Sequence, residues 1–443
     1  MRRVVRDFFR EYRIFQSHPW DMRVLIVTNL AYGFVMPIIE IFIGAYVMRN
    51  SADPKLVVTY QLAVYTGIPF TFLVNGWLLR HVSIKRLYSL GMLLSGVSMV
   101  VMMSLPELSL WGLGAAGLLM GMSFGLYWSN RDFLALSSTN DSNRNYYYGL
   151  ENFFATNLNI GVPLMVGAFI ARFGGETTPQ VNLAYQIVTG VVFVLTFLAS
   201  VIVHQGRFAN PPDTQFIFIR YHWLWNRMQL LAFLKGIGQG YIVTAPAMLV
   251  MTLVGKEGSL GTLLSAGGIL SAIALYILGR TTGPQHRIYL FVAGWTLFAL
   301  GALANAALFN TLGVLLFMLL LVLGRPLADI AYFTIQMLVI DTVSAIEHRN
   351  KYAYFFSQEF GFYIGRFSGC MLFIMLARYV SNDIALRYAL LVIGILQLLA
   401  IPVAKTILRG CGDYAAKPTD AAGTKAECNR PTPDELPMHE TIH

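Results

Sequence analysis

Long apolar runs separated by short polar clusters fill the chain from residue 24 to residue 404. Each run is long enough to cross roughly 30 Å of hydrocarbon at about 1.5 Å rise per residue. Twelve membrane spans are predicted, at 24–48, 56–79, 87–104, 109–130, 146–171, 181–203, 228–254, 260–279, 288–309, 311–338, 352–378 and 384–404. The pattern stops after Lys405, where Pro418, Thr419, Asp420 and the 431–437 stretch predict a disordered cytoplasmic tail over 405–443. Ahead of the first span, Arg2, Arg3, Arg6, Arg10 and Arg13 alternate with Val4, Phe8, Tyr12 and Phe15. That mixture predicts an amphipathic cytoplasmic helix over 1–20, and Phe216–Arg227 repeats it.

The spans divide six and six. Arg144–Phe154 (RNYYYGLENFF) matches Arg349–Phe360 (RNKYAYFFSQEF), and Gly117-x-x-x-Gly121 matches Leu320-x-x-x-Gly324. Ile160-Gly161 matches Ile364-Gly365, Trp20 matches Trp225, and Arg80 matches Arg280, all at a nearly constant offset. Two copies of one membrane unit are therefore expected, 21–203 and 228–404, joined by a cytoplasmic linker at 204–227.

Composition agrees, with 56% hydrophobic residues, 12% charged and a mean hydropathy of +0.58. A soluble protein could not solvate such a surface. The net charge of +9 reads as topology rather than as nucleic-acid binding. Only Arg49, Lys55, Arg172, Lys256, Arg378 and Arg387 fall in one set of loops, and Lys235, Arg325 and Arg366 lie within spans. The remaining Lys and Arg lie on the other side, which puts both termini in the cytoplasm of a multi-pass inner-membrane protein. Cys370, Cys411 and Cys428 share no metal-ligand spacing, so neither a disulfide framework nor a metal is expected. The N-terminus lacks a short apolar region with a small-residue cleavage site and is expected to be retained.

Charges inside a bilayer each need a partner, water or a task. Here they sit selectively: Glu40 in span 1, Arg131 and Asp132 ending span 4, Glu151 in span 5, Lys235 in span 7, Arg325 and Asp329 in span 10, and Glu359 and Arg366 in span 11. This 6 + 6 layout resembles the major facilitator superfamily. The resemblance implies an all-α membrane protein with twelve transmembrane helices in two pseudo-symmetric six-helix bundles. It further implies that spans 1, 4, 7 and 10 line a central cavity, while 3, 6, 9 and 12, which carry no ionisable side chain in their interiors here, face lipid. The loop Gly76–Arg86 keeps Gly76, Leu78 and the basic end of the superfamily's signature, with Arg80 where an acid belongs. The span-4 arginine of many proton antiporters falls at Gly117, and their span-5 glycine pattern is reduced to Gly161-Val162-Pro163 and Gly167. No substrate subfamily is singled out.

Within that layout Glu40 has no nearby cation on its own helix, which makes it the leading proton-coupling candidate, with Glu359 and Asp329 next. The alternatives are a carboxylate in a wet outer vestibule and one paired with Arg366. Asn29, Tyr32, Met36 and Glu40 are spaced to share one polar, cavity-facing stripe. Arg366 suits an anionic solute group, unless Glu359 neutralises it permanently. Lys235, Gln239, Asn157 and Asn159 complete the expected solute contacts, with Tyr127 and Trp128 alternatively serving as interface anchors. Arg131, Asp132, Glu151 and Arg325 are expected at an inner gate; a fixed network within each half, such as Arg325 with Asp329 at i and i+4, is the competing reading. Lys235, Glu359, Arg325 and Asp329 are expected in the inner third of the membrane. The glycines Gly236, Gly238 and Gly240 either let span 7 bend or serve close packing.

The function expected is a proton-coupled secondary active transporter of a small organic solute, anionic or amphipathic, working by alternating access. A lipid or glycolipid flippase of the same fold is the alternative. A membrane enzyme is not expected, since no H-E-x-x-H, G-x-S-x-G or phosphate-cradling loop occurs. The expected partners are solute, protons and membrane lipid, with no nucleic acid and no cofactor, acting on a monomer.

Overall fold

The computed structural model describes residues 13–139, 143–174, 178–210, 220–255, 257–281, 284–349 and 351–416. Every regular element among them is helical: α1 (Trp20–Gly33), α2 (Val35–Ser51), α3 (Pro54–Leu78), α4 (Ile84–Met103), α5 (Leu110–Ser138), α6 (Arg144–Phe173), α7 (Thr178–Val203), α8 (Trp223–Ile242), α9 (Ala245–Leu253), α10 (Glu257–Thr281), a 3-10 turn (Pro284–His286), α11 (Arg287–Leu308), α12 (Thr311–Glu347), α13 (Lys351–Tyr379), α14 (Asn382–Leu398) and α15 (Ala400–Ala416). Eleven of these helices or helix pairs among the described residues are long and apolar enough to cross a membrane, and α10 adds the apolar stretch Gly258–Ala274. The chain is a multi-pass membrane protein.

Three spans are broken, and proline explains each break. A proline at position i removes the N–H that would bond the carbonyl at i−4 and clashes with it. Pro37, Pro246 and Pro402 each follow by four residues the last residue of α1 (Gly33), α8 (Ile242) and α14 (Leu398). The first and seventh spans are thus each two helices, α1/α2 and α8/α9. Ser109, Asn310 and Ser381 cap α5, α12 and α14 by accepting a backbone N–H in the first turn.

The glycines of span 7 serve close packing. A Cβ on Gly236 would lie 2.5 Å from the Phe362 carbonyl oxygen, and one on Gly240 would lie 2.5 Å from that of Arg366. Gly365 and Gly369 on α13 meet the same stretch of α8, so these backbones touch as small-residue membrane interfaces do. In the first half, Gly67 on α3 packs against Leu118 to Met122 on α5. The Gly76–Arg86 loop, lacking its acid, is closed by Asn210, whose Nδ2 donates to the Leu79 and Val82 carbonyls at 2.8 and 3.0 Å. Asn210 Oδ1 accepts from Ile84 N at 2.8 Å.

Three joints hold the halves of the chain together. α3 packs on α13, α6 packs on α10, and α2 packs on α9, where a Cβ on Gly44 would lie 3.3 Å from that of Ala247. On the same face as this last joint, Asn382 Nδ2 donates to Asp53 Oδ1 at 3.4 Å. Among the described residues α1 and α8 make no extended contact with each other, nor do α5 and α12. The cleft between the halves therefore opens toward the face where α1 and α8 begin.

Several expectations need correction. The last helix runs through Ala416, so the tail expected from 405 is helical for its first turns, because α15 packs on α8 and α12. Trp20 corresponds in position to Trp223 rather than Trp225. Each opens the first helix of its half and donates to the end of that half's last span, Trp20 to the Gln205 carbonyl (3.0 Å) and Trp223 to Tyr414 Oη (3.4 Å). Trp225 is fully buried. Asp329 lies midway along the 37 residues of α12, with Arg325 one turn away. Residues 1–12 of the first expected amphipathic segment and 216–219 of the second lie outside the described residues.

Candidate functional site

Two adjoining voids occupy the middle of the protein. The first, about 310 Å³, lies between the halves and is lined by Glu40, Gln61, Tyr65, Gln239, Arg325, Glu359 and Arg366 with an aromatic wall of Tyr60, Phe72, Phe124 and Trp128. The second, about 190 Å³, lies within the first half between α1/α2, α5 and α6, and includes Asn29, Met36, Tyr127, Arg131, Glu151 and Asn159. Glu40 and Trp128 line both.

The charges of the second half are brought together as pairs. Lys235, only 3% exposed, places Nζ 2.8 Å from Asp329 Oδ1 and lies against the rings of Tyr332 and Phe333 at 3.9 and 4.2 Å from their centroids. Arg325 Nε is 3.6 Å from the other oxygen of Asp329. Arg366 donates from Nε to Gln239 Oε1 (3.0 Å) and from Nη1 to Glu359 Oε2 (3.4 Å), and its guanidinium stacks over Tyr65 and Phe362. Tyr65 Oη in turn donates to the Gln239 carbonyl at 3.0 Å, joining α3 to α8 across the cleft.

The first half has its own network. Arg131 grips Glu151 with both arms of its fork, Nε to Oε1 at 3.1 Å and Nη2 to Oε2 at 2.7 Å, and reaches Asp132 Oδ1 at 3.1 Å. Asn29 Nδ2 donates to Glu151 Oε1 (2.8 Å) and to Tyr147 Oη (3.0 Å), and its Oδ1 accepts from Tyr88 (2.5 Å). Of the expected gate residues, Arg131, Glu151 and Asp132 pair within the first half and Arg325 pairs within the second.

Not every expected residue reaches the cavity. Tyr32 is fully buried against Tyr127, with ring centroids 4.4 Å apart, and lies outside both linings. The face that lines the second void carries Ile26, Asn29, Leu30 and Gly33. Tyr32 is one residue off it, about 100° of helix turn. Asn157 bonds the Phe153 carbonyl on its own helix at 2.7 Å and is likewise outside both linings. Sequence reading passed over Tyr60, Gln61 and Tyr65 because span 2 carries no formal charge. The spacing of Gln61 and Tyr65, one helical turn apart in an apolar span, is the signal that marks them.

No protein-family model matches the chain. An uncharacterised Bacillus subtilis protein, YqgE, is 21% identical over 382 residues, covering 84% of this chain and 86% of its own length. The POT family transporter PepTSo superposes with a TM-score of 0.67 at 11% identity, over 90% of this chain and 99% of its own. A bacterial homolog of the human lysosomal transporter Spinster, inward-facing and unoccupied, gives 0.63 at 11% over 91% and 98%. A bacterial homologue of the iron transporter ferroportin, inward-facing, gives 0.60 at 17% over 87% and 96%. The chain shares the fold of these transporters, and no subfamily is identified.

Proposed function

We propose that this fold works here as a proton-coupled secondary transporter of a small organic solute, by alternating access between two six-helix bundles of a twelve-span monomer. In this reading the face where α1 and α8 begin is cytoplasmic, in line with the positive charge on that side, and the conformation is inward-open. The protein resides in the inner membrane with both termini inside. The packed seams α3–α13 and α6–α10 favour a solute that enters from water over the lipid-flipping alternative. The gate role of Arg131, Asp132, Glu151 and Arg325 belongs to the opposite conformation, when α5 and α12 close on each other.

The observation that carries the coupling role is the position of Glu40. It projects into both voids, and among the described residues it has no ion-pair partner within 4.0 Å. A carboxylate in such a place exchanges a proton with whichever face the cavity opens to. Glu359 and Asp329 are held by Arg366 and Lys235 and rank behind it. The Glu40→Gln variant mimics the protonated form. In proteoliposomes it is expected to lose accumulation driven by a pH gradient while retaining solute exchange at equal pH. Continued uphill accumulation by Glu40→Gln refutes the assignment.

A further inference from the structure

We propose that the central cavity takes a small monoanion, a carboxylate on an apolar body, and takes it together with a proton. This deepens the coupling role given to Glu40 and rests on it.

The reason is charge matching. Lys235 is matched by Asp329 at 2.8 Å, and Arg366 by Glu359 and the amide of Gln239. Two charges lining the first void are left over. Arg325 has a side chain 61% exposed, and the one carboxylate within 4.0 Å of it among the described residues, Asp329, already holds Lys235 with its other oxygen. Glu40 faces Arg325 across the same void. The other titratable groups around Glu40 are accounted for. Tyr32 on α1, Tyr60 and Tyr65 on α3 and Tyr127 on α5 are phenols, uncharged near neutral pH. Arg131 on α5 is matched by Glu151 on α6, with Asp132 at the rim, and Glu359 and Arg366 on α13 match each other.

Two charge states follow. With Glu40 ionised, its charge offsets that of Arg325 and the lining is neutral, so an anion has no unmatched cation to meet. With Glu40 protonated, Arg325 is the one unmatched cation lining the void, and its fork suits a carboxylate. Proton and anion then each favour the other's binding, as linkage requires. The loaded cavity carries the same net charge as the empty one. The aromatic wall of Tyr60, Phe72, Phe124 and Trp128 receives the apolar body, and about 310 Å³ is at the small end of small-molecule sites.

The test uses purified full-length protein and three probes of one shape, 3-phenylpropionate, 3-phenylpropylammonium and neutral 3-phenylpropanol, with acetate and butyrate extending the carboxylate series. Binding and proton uptake are measured by titration in weak buffer. Expected is binding of a carboxylate with about one proton taken up per anion, the affinity falling about tenfold per pH unit above the Glu40 titration. Glu40→Gln should bind the same probe with no proton uptake and a flat pH profile. Arg325→Gln should weaken it roughly tenfold to a hundredfold, and Arg325→Lys should recover part of that. Arg325 is exposed, and Asp329 keeps Lys235, so neither variant leaves a buried charge unmatched. Binding of the ammonium probe with proton release overturns the anion class but leaves Glu40 as the coupling group. Carboxylate binding without proton uptake overturns both readings, and no binding by any carboxylate overturns this one.

Discussion

The joint between α2 and α9 gives the most direct handle on the conformational cycle. Gly44 faces Ala247 there, and a Cβ added at Gly44 would lie 3.3 Å from the Ala247 Cβ and 3.6 Å from Val57 Cγ1. Alanine therefore requires a shift of only a few tenths of an ångström. Leucine adds three further carbons to a joint with no room for them, and overpacking of this kind costs about 1–3 kcal/mol. The cost falls only on the conformation in which α2 and α9 touch. Gly44→Leu should thus shift the balance between inward- and outward-open forms about 5- to 150-fold toward outward-open. The assay is the rate at which a membrane-impermeant thiol reagent, added outside, labels a cysteine at Val243, which lines the central void just beneath the joint. It is run in a background without Cys370, Cys411 and Cys428. Faster outside labelling in Gly44→Leu, with a small change in Gly44→Ala, is the expected result. An unchanged rate in a normally expressed Gly44→Leu protein would refute the reading that contact between α2 and α9 closes the cavity on that side.

Other outcomes follow from the same contacts. Asp329→Asn leaves Lys235 buried without its counter-charge and should cost about 3–5 kcal/mol; Lys235→Met should cost less, because Asp329 is 35% exposed and keeps Arg325 at 3.6 Å. Thermal unfolding in detergent separates the two, and an equal or larger loss for Lys235→Met counts against the pair as described. Gly365→Ala would bring its Cβ within 2.8 Å of Gly236 Cα and should sharply reduce folded yield, whereas Gly161→Ala meets nothing within 4 Å and should be neutral by the same measure. Cysteines at Asp53 and Lys256 should label from outside whole cells and those at Lys85 and Lys351 should not, with the reverse pattern overturning the orientation.

How much of this was legible in the chain itself divides along a physical line. Whether a segment crosses a membrane is a local property of length and hydropathy, so the spans could be read directly. The breaks at Gly33, Ile242 and Leu398 are local too, since a proline acts on the carbonyl four residues back. The selective placement of charges on spans 1, 4, 5, 7, 10 and 11 pointed to the spans that meet at the centre. Which charge meets which was not legible, because that depends on how each helix is rotated and how deeply it sits. One residue of error is about 100° of rotation, enough to turn Tyr32 from cavity to core. Asp329 on α12 meets Lys235 on α8, a pairing that neither helix specifies alone. The closed joint at Gly44 and Ala247 and the Tyr65–Gln239 bridge link residues remote in sequence. Nothing in either segment alone specifies them; they exist only once the halves pack.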